Sequence, residues 1–358
     1  MRLTLIVCLL GTGGLHFAGA AEVVPPQWVN ISDPVVNKLA AEGKKQDWPF
    51  QTAGVACDAA TGDVFMVLPG QGLWKSSDPG ATFARVDGGA VGGRCETSFS
   101  LNADPAGRRL ACFMLDGKCA LTPDGGKTWQ PMSDLGRNWD YAAVDWSGDK
   151  VANILGERHE VGGEVYLSTD AGKTWKLLFK DPAFDRAGAL GIFDARALAR
   201  AWPGKGIERS TDAGTTWQKV SDFQPNGRVM KTRNGVAYWL CAGGMLVSKD
   251  KGLTWQKLGD ECPGTIGPMF DLNDGKHMAV AGAKGIFETA DGAKTWARVT
   301  LLPDKFDVPK PGGWFTNVAW DPAHDVFYAS RMGFPTYKLE RKSHAAPPAG
   351  PSGAAPVK

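Results

Sequence analysis

Two short segments concentrate the side chains able to do chemistry: Arg137-Asn138-Trp139-Asp140-Tyr141 and Leu155-Gly156-Glu157-Arg158-His159-Glu160. Asp140 with Glu157, or with Glu160, is a candidate carboxylate pair for glycoside hydrolysis, one acting as acid and the other as base or nucleophile. His159, which titrates near neutrality, or the Tyr141 phenol could instead be the base of a polysaccharide lyase. Arg137 or Arg158 would then neutralise a uronate carboxylate. The same residues suit binding without turnover. Trp139 would stack on the apolar face of a sugar while charged groups hold its polar atoms. Trp314 and Arg331 are further ligand contacts, and Arg186, Trp202, Arg228, Glu261 and Lys305 complete the set. None of these patterns is specific enough to establish catalysis, and Trp139 and Trp314 could equally fill a channel.

The elements that must position these residues announce themselves by repetition. An eight-residue phrase, Ser/Thr-x-Asp-x-Gly-x-Thr-Trp, occurs at residues 76–83, 122–129, 168–175, 210–217, 248–255 and 289–296. The first copy ends in Phe83, and the last has Ala293 where the others have glycine. Its aspartates, Asp78, Asp124, Asp170, Asp212, Asp250 and Asp291, are spaced by 46, 46, 42, 38 and 41 residues. A period near forty, with several short strands per unit, reads as the blades of a β-propeller. Residues 53–58, 64–68, 73–76 and 82–86 read as the four strands of a first blade. The order recurs from Thr97, Tyr141, Ala187, Arg228 and Gly267. After the sixth phrase, residues 317–320, 326–330 and 336–340 give three strands and no fourth. Residues 28–32 resemble the strand after the fourth phrase, so the N-terminal strand is expected to complete the last blade and remove its open edge. The expectation is all-β: a single seven-bladed propeller over residues 21–342.

The phrase resembles the Asp-box, or BNR repeat, of sialidases, two-propeller xyloglucanases, sortilin-type receptors and a photosystem II assembly factor. The resemblance implies that the boxes sit at turns between third and fourth strands, away from the functional face, so all six aspartates are scaffold. Their local physics agrees, because Gly permits a positive φ and an Asp carboxylate accepts nearby backbone N–H groups. The resemblance puts function on the opposite face, where blade links and second-to-third-strand turns meet over the channel. Blade 3 brings both charged segments there. Sialidase chemistry is not expected. No Arg-Ile-Pro precedes the first box, and Asp47-Trp48-Pro49-Phe50 does not replace it. A two-propeller xyloglucanase would need a second ring. The expected function is a non-catalytic glycan- or protein-binding module working through its channel-mouth loops. The alternative is a hydrolase or lyase with its site near blade 3.

Composition narrows the partners. A net charge of +2 without a Lys/Arg run gives no support to a nucleic-acid or anionic-membrane partner. Arg2, the apolar residues 3–10 and Ala18-Gly19-Ala20 form a signal peptide expected to be cleaved after Ala20, hence export. No later segment is long enough to span a membrane, and the chain is expected to be a monomer. Beyond Cys8 there are six cysteines, an even number that suggests disulfides in an exported chain. Cys112–Cys119 is expected across the Asp116-Gly117 turn, with Cys57–Cys95 and Cys241–Cys262 as the other bridges. No Cys-x-x-Cys occurs and the histidines do not cluster with these positions, so neither a metal nor a cofactor is expected. Ser32 or Asp33 should cap a helix from Pro34 to about Glu42. Residues 343–358, rich in Ala and Pro, read as a disordered tail.

Overall fold

The computed structural model describes residues 27–341, apart from 134, 136–138, 149–151, 186, 260, 273–274 and 309–313. The expected signal peptide and the expected tail lie outside these residues.

Seven antiparallel sheets stand in a ring. Their innermost strands touch in chain order, and the last returns to the first. Blade 1 is Val55–Asp58, Asp63–Leu68, Gly72–Ser76 and Ala84–Arg85. Burial falls from the channel outward, which accounts for the residue types. In blade 3 the inner strand Trp139–Asp145 is buried throughout, whereas the outer strand Lys176–Lys180 is mostly exposed. Antiparallel order makes the turns alternate. Blade links and second-to-third-strand turns share one face, here the link face. The Asp-boxes and first-to-second-strand turns share the other, the box face.

Each box is a closed set of local bonds. Asp78 Oδ1 accepts from the Ser76 hydroxyl (2.6 Å) and the Thr82 N–H (2.8 Å), and Oδ2 accepts from the Thr82 hydroxyl (2.6 Å). Ser76 Oγ in turn accepts the Gly80 N–H at 2.8 Å. The pattern repeats at Asp124, Asp170, Asp212, Asp250 and Asp291. The Ser76 hydroxyl, then Thr82, holds Asp78 down at about 2. The Thr216 N–H and hydroxyl hold Asp212 at about 2. Ala293 stands in left-handed backbone (φ 68) where the other boxes use glycine.

The ring closes as expected. Val29–Asn30 joins Tyr337–Glu340 antiparallel, Val29 opposite Lys338 and Asn30 opposite Tyr337. Ser32 Oγ accepts the Thr336 N–H at 3.0 Å, so it does not cap the helix Asp33–Ala41. Asn30 Oδ1 takes the Ser32 and Asp33 N–H groups instead. The helix buries Val35 and Leu39 against Met66 and Leu68 of blade 1.

Two features depart from expectation. The inner strand of blade 5 is split: Gly227–Arg228 pairs in parallel with Ala189–Leu190 of blade 4 before Met230–Lys231 joins its own blade. The expected disulfides are also corrected, since all six cysteines are free thiols. Strand register sets Cys112 opposite Ala120, one residue away from Cys119, which receives the Met114 N–H instead. Cys57 packs beside Tyr328 while Cys95 packs with Cys112 in a separate core. Cys241 and Cys262 likewise belong to different cores. Burial raises the thiols of Cys57, Cys95, Cys112 and Cys241, and pushes Cys262 up to about 11.

Candidate functional site

On the link face, blade 3 carries a buried carboxylate group made by a local irregularity. The ladder pairs Trp139 with Arg158 and then Tyr141 with Glu157, leaving Asp140 as the extra residue of a β-bulge. A bulge re-aims its side chain, and here Asp140 meets His159, Nδ1 to Oδ1 at 2.5 Å. Asp185, from the link into blade 4, completes the group. One carboxylate oxygen from each of Asp140, Glu157 and Asp185 lies within 4.8 Å of the others. Asp140 and Glu157 are both 0% exposed. Asp140 Oδ2 and Asp185 Oδ1 make no hydrogen bond with the described residues. No metal was expected from the sequence, yet this oxygen set is of the kind that ligates hard cations. Asp185 was missed, although the Asp-Arg pair in its link carried the same signal as the segments singled out.

Tyr141 separates this group from open space. Its hydroxyl donates to Gly188 O at 2.7 Å. Burial, then the Glu157 and Asp140 charges, push the phenol well above its ordinary value. That protonated, bonded phenol is a poor base, which counts against its expected lyase role.

Beyond Tyr141 lies a cleft of about 430 Å³, lined on the link face by Thr97, Phe99, Gly188, Pro203, Asn226 and Trp314 among others. Its walls are largely aromatic or backbone. Asn226 Oδ1 is a buried acceptor with no donor among the described residues.

The expected ligand residues divide. Tyr141 and Trp314 line the cleft. Trp139 is 2% exposed, with Trp175 at 4.6 Å and Phe113 and Tyr166 at its edges. It sits where Gly156 leaves room, since a Cβ there would come within 2.5 Å of the indole. Its stacking role is therefore corrected: the indole is buried in a core shared by blades 2 and 3 and has too little exposed surface to stack on a sugar. Arg158 projects to the sheet side opposite Glu157 and bonds Glu164 at 3.1 Å. Arg331 pairs with Asp307 and Lys305 O, away from the cleft. Trp202 packs with Phe179 and Phe184. Glu261 is exposed, and Arg228 lies in the channel. Arg137, Asn138 and Arg186 fall outside the described residues.

The BNR/Asp-box repeat family matches residues 166–177, the third box with its flanking strands. Six such boxes on a closed ring of seven blades decide the assignment. The chain is an Asp-box propeller. This Asp-box propeller is 25% identical over 249 residues to a xyloglucanase from Paenibacillus sp, a match covering 54% of the chain and 24% of the relative. The match thus spans about a quarter of that protein's length. Among solved structures it is similar to YCF48 bound to D1 peptide, with TM-score 0.52 and 15% identity over 92% of this chain and 99% of that one. It is also similar to a Niastella koreensis GH74 enzyme, TM-score 0.52 and 15% identity, covering 86% of this chain and 53% of that one. An oligogalacturonate lyase in complex with manganese matches at TM-score 0.53 and 11% identity, over 88% and 96% of the two chains. At these identities the likenesses show the fold.

Proposed function

We propose that this propeller is an exported, non-catalytic binding module that takes an extended peptide segment of a protein partner on its link face. The observation that carries the reading is the 430 Å³ cleft on the link face, with Phe99, Tyr141 and Trp314 in its lining. Phe99, Tyr141 and Trp314 offer an apolar seat for a side chain, beside the polar side chains of Thr97 and Gln224. A sugar site would want exposed ring faces, but Trp314 is 8% exposed and Trp139 less. Hydrolysis would want two carboxylates open to a glycosidic bond. Asp140 and Glu157 have the proximity without the access. The fold likeness to YCF48 bound to D1 peptide, which extends over 92% of this chain and 99% of that one, supports the same reading.

The test is a peptide array and a polysaccharide panel probed with the mature protein and with Ala242→Trp. Ala242 lies exposed at the cleft rim, so the indole should fill the opening and leave the core alone. We expect discrete peptide binding, lost at least tenfold in A242W at unchanged melting temperature. Release of reducing ends or unsaturated sugars by the wild type would instead establish the enzyme reading centred on Asp140, Glu157 and His159.

A further inference from the structure

The opposite end of the channel has a different chemistry. Arg228 reaches across it from the split strand of blade 5 and is 7% exposed. Its Nη1 donates to Asn102 Oδ1, to Phe99 O (3.2 Å) and to Ala142 O (2.9 Å). Nε meets only the Met230 sulfur (3.2 Å), and Nη2 only Leu101 O at 3.5 Å. A guanidinium has five N–H donors, and Nη2 carries two of them. One is therefore without an acceptor among the described residues, and the other has a long contact. None of the described carboxylates pairs with this arginine. Burial alone brings its pKa down to about 9.

A cavity of about 250 Å³ opens from Arg228 to the box face between blades 2, 3, 4 and 5. Lys231, Arg233 and Lys251 share its lining. The carboxylates there are already engaged. Asp145 accepts from Lys231 (2.7 Å), Ser147 (2.8 Å) and Asn153 (3.0 Å), and Asp104 accepts from Arg109 (2.5 Å). Lys251 is spent on Asp194 at 2.7 Å. Arg233 donates Nε to Pro105 O and keeps its charge. A buried cation without a counter-charge is costly, and a planar guanidinium edge matches an oxyanion in geometry as well as sign.

We propose that the box-face mouth is an anion site, in which a small oxyanion, carboxylate or phosphate, enters this cavity and bonds the Nη2 edge of Arg228 with Arg233 at the rim. The ring of Phe99, under the Arg228 guanidinium at 4.9 Å, stands between this site and the apolar cleft. The inference therefore does not depend on what the link face binds.

The full chain in low-chloride buffer is titrated by calorimetry with glucuronate, inorganic phosphate and, as neutral control, glucose, with melting temperature read in parallel. We expect saturable binding of at least one anion, weakened by added salt, and no response to glucose. The two anion arms separate a carboxylate from a phosphate preference. Because Arg228→Met also removes channel contacts, the deciding pair is at Ala106, an exposed residue of the same mouth. Ala106→Glu should lower anion affinity at least tenfold without moving the anion-free melting temperature, while Ala106→Gln should not. If R228M folds, it should lose the binding altogether. No saturable response to either anion, an equal response to glucose, or undiminished binding in A106E would each overturn the proposal.

Discussion

The two faces of the ring are built from the same strands by opposite means. On the box face one turn is made six times from its own residues. Ser168 and Thr174 satisfy Asp170 within four residues of it, and Ser210 and Thr216 do the same for Asp212. On the link face hardly any contact is local. Asp140 meets His159 from the next strand and Asp185 from the next blade's link, and the cleft takes residues from blades 2, 3, 4, 5 and 7. A local motif can be copied from blade to blade because its bonds travel with it. A site assembled from many links differs in every blade, so departures from the repeat point to function.

That contrast can be broken by measurement. Removing residues 27–33 should have the largest effect, since it bares the outer edge of Tyr337–Glu340 and takes away the buried Ile31, which is 5% exposed in the intact ring. Burial of one such side chain contributes about 2 kcal/mol. With the strand bonds added, a loss of about 4 kcal/mol in denaturant unfolding is expected, together with self-association through the opened edge. An unchanged unfolding midpoint would refute this closure.

His159→Ala should come next. It strips a partner from the fully buried Asp140 and should cost about 3 kcal/mol. Pairing it with Asp140→Ala should recover much of that loss, the sign of direct coupling in a double-mutant cycle. Simple additivity would mean the pair is not a unit. Asp170→Ala on the box face should cost only about 1 kcal/mol, because its bonds are exposed to water. It should leave ligand binding untouched, whereas a cost as large as that at His159 would erase the distinction between the faces.

Acid gives the smallest effect per group. Partial burial pushes Asp124, Asp170 and Asp250 upward, but bonds from their box threonines, serines and backbone outweigh it, so all three fall. A carboxyl with a depressed folded pKa stabilises above its unfolded value, about 3.9. That contribution is lost as pH falls toward about 2, where Asp78 and Asp212 titrate in the folded chain. Melting temperature should therefore drop between those limits, and less steeply in a protein carrying box substitutions. Equal slopes would show that other carboxylates dominate the acid limb.

The boxes were legible because each is a short-range arrangement: residue types at fixed offsets suffice to specify the turn, and their spacing specifies the blade. The closing strand was legible from Trp28 to Ser32 by its likeness to a post-box strand. The bridges were not. A turn signal between Cys112 and Cys119 says nothing of register, and one residue of offset set Cys112 opposite Ala120. Trp139 was read as a stacking surface because its neighbours in the chain are charged. The ring is instead covered by Trp175, thirty-six residues away in sequence. Asp185 and Asn226 gained their meaning only from what faces them across a link. Amino-acid order alone thus determined the repeat, the number of blades and the face each turn occupies, because those follow from local bonding and strand alternation. Which side chains are covered, and which polar atoms are left without a partner, was decided by the packing of seven blades around one channel, since burial is a property of every neighbour at once.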